Sequence, residues 1–226
     1  LFTGNTRGIK SWLEISPRNC ITVLDTHDGI GVIDIGPKGD LPGLIPDENI
    51  DQLVELIHEK SNHQSREATG QAASNLDLYQ VNCTYYDALA RNDLNYLTAR
   101  AIQFFSPGVP QVYYGGLLAL HNDMALLDST NVGRDINRSY LTPEKVDIQL
   151  QKPLVKALSK LIKLRNESQA FNGAFSLQGA DSLLIMEWEN QQHTACLKID
   201  FETHLIEMTF ADGKGTKRFN IADLLK

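Results

Sequence analysis

No apolar run in this sequence approaches the ~20 residues that a helix needs to cross a bilayer. A secretory leader pattern is missing too, but the chain begins at Leu1 and not at methionine, so a segment ahead of Leu1 is expected. Cysteine is scarce. Cys20, Cys83 and Cys196 are odd in number and widely spaced, and no pair has metal-ligand spacing. Free thiols in a reducing cytoplasm are the expected state. Positive charge is also short: Lys plus Arg is 21 against 28 for Asp plus Glu, a net charge of −7. That balance argues against a nucleic-acid partner, and an anionic substrate would need a local cationic site. His58, His63, His193 and His204 lie on polar stretches apart from other ligand types, so no metal site is expected.

What is present is an ordinary globular composition over 226 residues, 42% hydrophobic and 22% charged. That length supports one large or two modest domains with a substantial core. The most informative stretch is Cys20-Ile21-Thr22-Val23-Leu24-Asp25-Thr26-His27-Asp28-Gly29-Ile30-Gly31. Its first half reads as a buried strand of parallel type, an apolar run ending abruptly in ionisable side chains. His27 and Asp28 then fall at the strand's carboxyl end, the edge where α/β folds gather catalytic groups. Spacing alone leaves a second reading equally open, a strand-to-loop turn capped by an aspartate.

Before this strand, Thr6 to Ile15 has helical spacing through Ile9, Trp12 and Leu13, and Pro17 closes it. After it, Gly36 to Gly43 is turn-rich, and Asp47 reads as the N-cap of a helix with Ile50, Leu53, Val54 and Ile57 on one face. Ser61 to Ser74 is polar, and Asn75 to Asn82 has no clean period. Leu94 to Phe105 is a second amphipathic helix, stopped by Ser106-Pro107-Gly108 and followed by a short strand over Val109 to Tyr114. Residues 117 to 148 read as a long loop region, and Lys152 to Arg165 as a strong helix. Beyond Asn166, Ser182 to Glu189, His193 to Asp200 and His204 to Phe210 are strand-length. Phe171 to Leu177 and Thr216 to Phe219 flank them, as in a small antiparallel sheet.

Three segments carry a resemblance in order along the chain: Thr22 to Gly31, Ala72-Ala73-Ser74-Asn75-Leu76-Asp77-Leu78-Tyr79-Gln80-Val81-Asn82, and Gly133-Arg134-Asp135-Ile136-Asn137-Arg138, with Gly108 to Gly115 between the last two. On these the chain resembles the carboxyl-terminal portion of glycoside hydrolase family 13, the α-amylase superfamily, and within it the branch that splits sucrose with phosphate. The implied fold is α/β: the carboxyl-terminal part of a (β/α)8 TIM barrel, a loop-rich subdomain inserted after strand 7, and a small antiparallel β domain. The implied boundaries are 1–28 for helix 6 and strand 7, 29–83 for the insertion, 84–167 for helix 7, strand 8 and helix 8, and 168–226 for the β domain.

The resemblance also implies roles. Asp28 would be the carboxylate that stabilises the transition state without attacking the sugar. His27 and Arg134 would hold the glucosyl ring. Asp77, Tyr79 and Gln80 would line the acceptor side on a loop that changes state between fructose and phosphate. The chemistry fits these residue types. A fixed carboxylate strengthens its hydrogen bonds as an oxocarbenium-like centre develops, and a guanidinium offers a rigid fork of donors to sugar oxygens. The bland alternative for Arg134 is an ion pair with Asp135.

The expected partners are sucrose, phosphate, glucose 1-phosphate and fructose, with no cofactor, no nucleic acid, no membrane and a homodimer as the possible assembly. The family's nucleophile and acid/base would precede Leu1, so neither is expected in this sequence. Alternatives are a sister phosphorylase acting on glucosylglycerol or sucrose 6-phosphate, an α-glucosidase or transglucosidase, and an inactive fragment. Tyr79 and Gln80 favour plain sucrose, because a phosphorylated acceptor should demand further cationic groups.

Overall fold

The computed structural model describes residues 1–32, 35–40, 43–69 and 80–226. By internal contacts the chain forms two compact units. One comprises Leu1–Val23, Asp93–Gln111 and Lys152–Lys226, the other Leu24–Asn92 and Val112–Gln151.

In the first unit the strand Ile21–Val23 pairs in parallel with Val109–Gln111, Ile21 opposite Val109 and Val23 opposite Gln111. A parallel pair needs a crossover, and here the last leg of the return is the helix Asp93–Phe105. Gln103, on that helix, donates from Nε2 to the Thr22 and Gln111 carbonyls at 3.1 and 2.8 Å, joining both strands through one carboxamide. Arg165, near the end of the helix Pro153–Glu167, donates to the Phe104 and Gly108 carbonyls and so holds the turn between helix and strand.

The strand is not buried as its composition suggests. Ile21 is 65% exposed, Val23 49% and Val109 68%. The pleat puts these side chains on one face and Thr22 and Pro110 on the other, and no described residue covers the apolar face. The described residues show two parallel strands with flanking helices; they do not show a barrel.

The rest of this unit is a five-stranded antiparallel meander over Ala174–Gln178, Leu183–Asn190, His193–Asp200, Leu205–Asp212 and Gly215–Asn220, in sequence order. The sequence alternation is read out directly. Leu184, Met186, Leu197, Ile199 and Met208 are fully buried on one face, each contributing roughly 1.5–3 kcal/mol. Trp188 donates its indole N–H to the Phe105 carbonyl at 2.7 Å, fastening this face to the helix Asp93–Phe105. At the chain start, the helix Arg7–Ile15 has Thr6 as its N-cap residue, but the Thr6 hydroxyl donates to the Ala180 carbonyl instead of capping.

The second unit is built from short elements. Ile30–Gly31 pairs antiparallel with Gln80–Val81. The helix Asp47–Lys60 follows an N-cap at Pro46, not Asp47. Asp47 lies with Glu48 in the first turn, where the helix dipole favours negative charge. Part of the polar run after Ser61 is helical, over Gln64–Thr69. The expected long loop from 117 to 148 is in fact the helix Met124–Thr130, a 3₁₀ segment Gly133–Asn137 and the helix Pro143–Leu150. These run too briefly for apolar periodicity to emerge, but their caps are plain. Asp123 accepts from the Leu126 N–H and Thr142 from the Lys145 N–H, with Pro143 at the first helical position.

Candidate active site

The turn after the strand Ile21–Val23 is held from several sides within the second unit. The Thr26 hydroxyl accepts the Asp28 N–H at 3.1 Å, which closes the turn locally. Asn137 then donates from Nδ2 to the Thr26 and Asp28 carbonyls at 2.8 and 3.0 Å, and Arg138 donates from Nε to the His27 carbonyl at 2.9 Å. Three successive carbonyls are thus satisfied by two neighbouring side chains. The Tyr113 hydroxyl braces this clamp by donating to the Asn137 carbonyl at 3.0 Å. Burial, together with its neighbour Tyr114, pushes the Tyr113 phenol well above its ordinary range, so it stays a donor at any physiological pH.

On this frame stands Asp28. Arg134 approaches its Oδ1 at 3.1 Å, Arg138 at 3.4 Å and His27 Nε2 at 3.7 Å. Among the described residues these three contacts fall on Oδ1. The Asp28 and Arg134 side chains are about one-third exposed, at 35% and 36%, and His27 is 65% exposed. A polar ligand can therefore reach all three. The arrangement is a carboxylate fixed by two guanidinium forks beside an imidazole. Such a group can accept strong hydrogen bonds from vicinal hydroxyls while the forks donate to neighbouring oxygens.

The structure brings Asp28, His27 and Arg134 together, and Arg134 faces Asp28. It is Arg138 that lies near Asp135, at 3.5 Å. Arg138 and Asn137 are site residues that the sequence reading did not single out, although both close the segment that contains Arg134. The available signal was a second arginine four residues after the first. Gln80 is placed in the strand pair opposite Gly31 and its side chain is buried. Asp77 and Tyr79 lie outside the described residues.

Two further polar clusters lie in this unit. Asp87 is buried and takes hydrogen bonds from Thr84 Oγ1, Arg91 Nε and the Asn122 N–H, with His121 Nδ1 at 3.5 Å. Burial alone would raise its carboxyl; His121, Arg91 and Thr84 outweigh that and hold it below the ordinary aspartate range. His121 is accounted for by Asp87 and by stacking on Tyr86. The second cluster is His58, whose Nδ1 meets Ser65 Oγ at 2.6 Å, with Ser61 Oγ at 2.8 Å from Ser65 Oγ, all three buried. A buried Ser–His pair without access for substrate is structural.

No family model matches the chain. Among curated proteins it is 59% identical over 203 residues to the sucrose phosphorylase of Agrobacterium vitis, covering 89% of this chain and 42% of that protein. It is 53% identical over 204 residues to the sucrose phosphorylase of Bifidobacterium adolescentis, covering 88% and 40%. The glucosylglycerol phosphorylase of Marinobacter adhaerens is 42% identical over 214 residues, 94% of this chain and 43% of that protein. Among solved structures, the crystal structure of sucrose 6F-phosphate phosphorylase from Thermoanaerobacter thermosaccharolyticum superposes with a TM-score of 0.82 at 33% identity, covering 97% of this chain and 43% of that one. The chain spans about two-fifths of the length of the relatives it matches.

Proposed function

From a chain homologous to the carboxyl-terminal part of the sucrose phosphorylases, we propose that it belongs to an enzyme that transfers glucose from sucrose to phosphate, giving α-glucose 1-phosphate and fructose with retention. The observation that carries the reading is the Asp28–Arg134 contact at 3.1 Å, on a turn clamped by Asn137 and Arg138. Asp28 stabilises the flattening, positively charged glucosyl ring through its hydroxyls. Arg134 and His27 hold the same ring from either side. Arg138 orients Asp28 and ties it to the backbone of His27. The nucleophile and the acid/base come from a part of the polypeptide ahead of Leu1, and two displacements at one anomeric carbon give retention.

Asp77, Tyr79 and Gln80 serve the acceptor. A carboxylate beside incoming phosphate would repel it, so Asp77 attends fructose and the Tyr79 hydroxyl attends phosphate. The same reading divides the chain at 28/29, 83/84 and 167/168, into two parts of a (β/α)8 barrel separated by an insertion and followed by a β domain. A cytoplasmic setting is supported by Cys20, Cys83 and Cys196 all being free thiols. A homodimer is the proposed assembly, to be checked by sedimentation.

The deciding experiment incubates the full-length enzyme with sucrose, with and without phosphate. Glucose 1-phosphate should form only with phosphate. Free glucose released at a rate indifferent to phosphate would instead mean a hydrolase, and glucose 1-phosphate from glucosylglycerol but not from sucrose would mean the sister phosphorylase.

A further inference from the structure

Asn82 is buried, 4% exposed, and directly follows the strand Gln80–Val81. Its N–H donates to Thr69 Oγ1 at 3.2 Å and its Nδ2 to the Ala68 carbonyl at 3.0 Å. The backbones on either side of its carboxamide are the two glycines that flank the paired side chains of the site. Gly29 follows Asp28, and a Cβ there would lie 2.6 Å from the Val81 carbonyl oxygen and 2.9 Å from Asn82 Oδ1. Gly133 precedes Arg134, and a Cβ there would lie 2.1 Å from the Ala68 carbonyl oxygen and 2.8 Å from Asn82 Nδ2. Neither position has room for a side chain, so both backbones press directly on the amide. Asn82 Oδ1 has no hydrogen-bond partner among the described residues. Its place against Gly29 is therefore one of shape, while Nδ2 is fixed by Ala68.

We infer that Asn82 is a positioning residue whose carboxamide spaces the turn carrying Asp28 from the 3₁₀ segment carrying Arg134. The inference rests on the proposed roles of those two residues at the glucosyl unit. An arginine side chain has many rotamers, and only a set distance between the two backbones makes one of them deliver the guanidinium to Asp28 Oδ1. Removing the spacer lets the backbones collapse or separate, and misplacement on the scale of ~1 Å is enough to cost on the order of 10²-fold in rate.

The test measures Asn82→Ala and Asn82→Asp in the full-length enzyme. The aspartate keeps the shape but turns the donor facing the Ala68 carbonyl into an acceptor, and it gives a second reading where the alanine variant fails to fold. The kcat for glucose 1-phosphate formation should fall by at least ~10-fold, and sucrose hydrolysis without phosphate by the same factor, because the glucosyl side is common to both. The KM for phosphate should change by a smaller factor than kcat, even though Asn82 closely follows the acceptor residues Tyr79 and Gln80 in the chain. A lower melting temperature with unchanged kcat would make Asn82 merely structural and overturn the inference. So would a raised KM for phosphate with kcat retained. If the wild-type enzyme makes no glucose 1-phosphate, the proposed function fails, and the crystal structure of the Asn82 variant decides the inference by itself. An Asp28–Arg134 separation beyond about 3.5 Å supports it, and an unchanged separation overturns it.

Discussion

Asp28 takes these three contacts on one oxygen, and its neighbours are donors of fixed geometry. Under the proposed function, that arrangement suits a group whose hydrogen bonds to substrate tighten as charge develops in the transition state. Asp28→Asn in the full-length enzyme should therefore lower kcat by on the order of 10²-fold or more while KM for sucrose changes little. Steady-state kinetics across sucrose concentration checks this, and a kcat within a few-fold of wild type would remove Asp28 from the chemistry. Arg138 gives a different expectation. Its Nε serves the His27 carbonyl while its terminal nitrogens face Asp28 and Asp135. A lysine ammonium cannot meet three partners in one plane. Arg138→Lys should lower kcat by on the order of 10²-fold, the scale of losing a single oriented donor. At this scale the sequence was partly legible. The apolar run ending in His27-Asp28 puts ionisable groups at a strand end, but spacing alone leaves a capped turn equally open, and only the later segment with Arg134 tips the reading. The role of Asn137 is not legible, because its partners are backbone carbonyls 109 and 111 residues away, and no side-chain pattern records a carbonyl.

The elements of the second unit are short, and buried polar contacts hold them together as much as apolar packing does. His58 ends its helix's buried face and pairs with the hydroxyls at Ser65 and, through it, Ser61. Burial, assisted by the nearby Arg66 and His63 and opposed by Glu55, lowers its imidazole below the ordinary histidine value of 6.5. The unfolded chain then binds a proton that the folded chain resists. The contribution is complete above pH 6.5 and is lost as pH falls through that value toward the folded one, with a slope approaching ~1.4 kcal/mol per pH unit. Thermal unfolding between pH 7.5 and 5 should show this loss, and His58→Gln should flatten it; an equal slope in both proteins would mean that another group titrates. Asp87 acts in the same direction but in a lower window: its carboxyl is also held low, so its stabilisation persists at neutral pH and is lost only well into acid. Legibility at this scale follows length. The five strands of the meander repeat alternation often enough to be read from sequence. The helices Met124–Thr130 and Pro143–Leu150 are two turns each, and only Asp123 and Thr142-Pro143 announce them.

At the scale of the molecule, composition and order of elements made the α/β character and the antiparallel sheet at the end of the chain readable. The exposed apolar face of Ile21, Val23 and Val109 was not, since a run rich in β-branched residues looks the same whether or not a second layer covers it. The same limit applies to activity. Retaining transfer needs a nucleophilic carboxylate and an acid/base carboxyl about 5–5.5 Å apart, flanking the scissile bond. The resemblance gives Asp28 neither role and puts both outside residues 1 to 226. The 226-residue chain, expressed by itself and incubated with sucrose and phosphate, should accordingly form no glucose 1-phosphate above the uncatalysed background, while the full-length enzyme does so at the same molar concentration. Turnover near that of the full-length enzyme would mean that a carboxylate of this chain is the nucleophile. Asp135, which shares Arg138 with Asp28, would then be the first to replace.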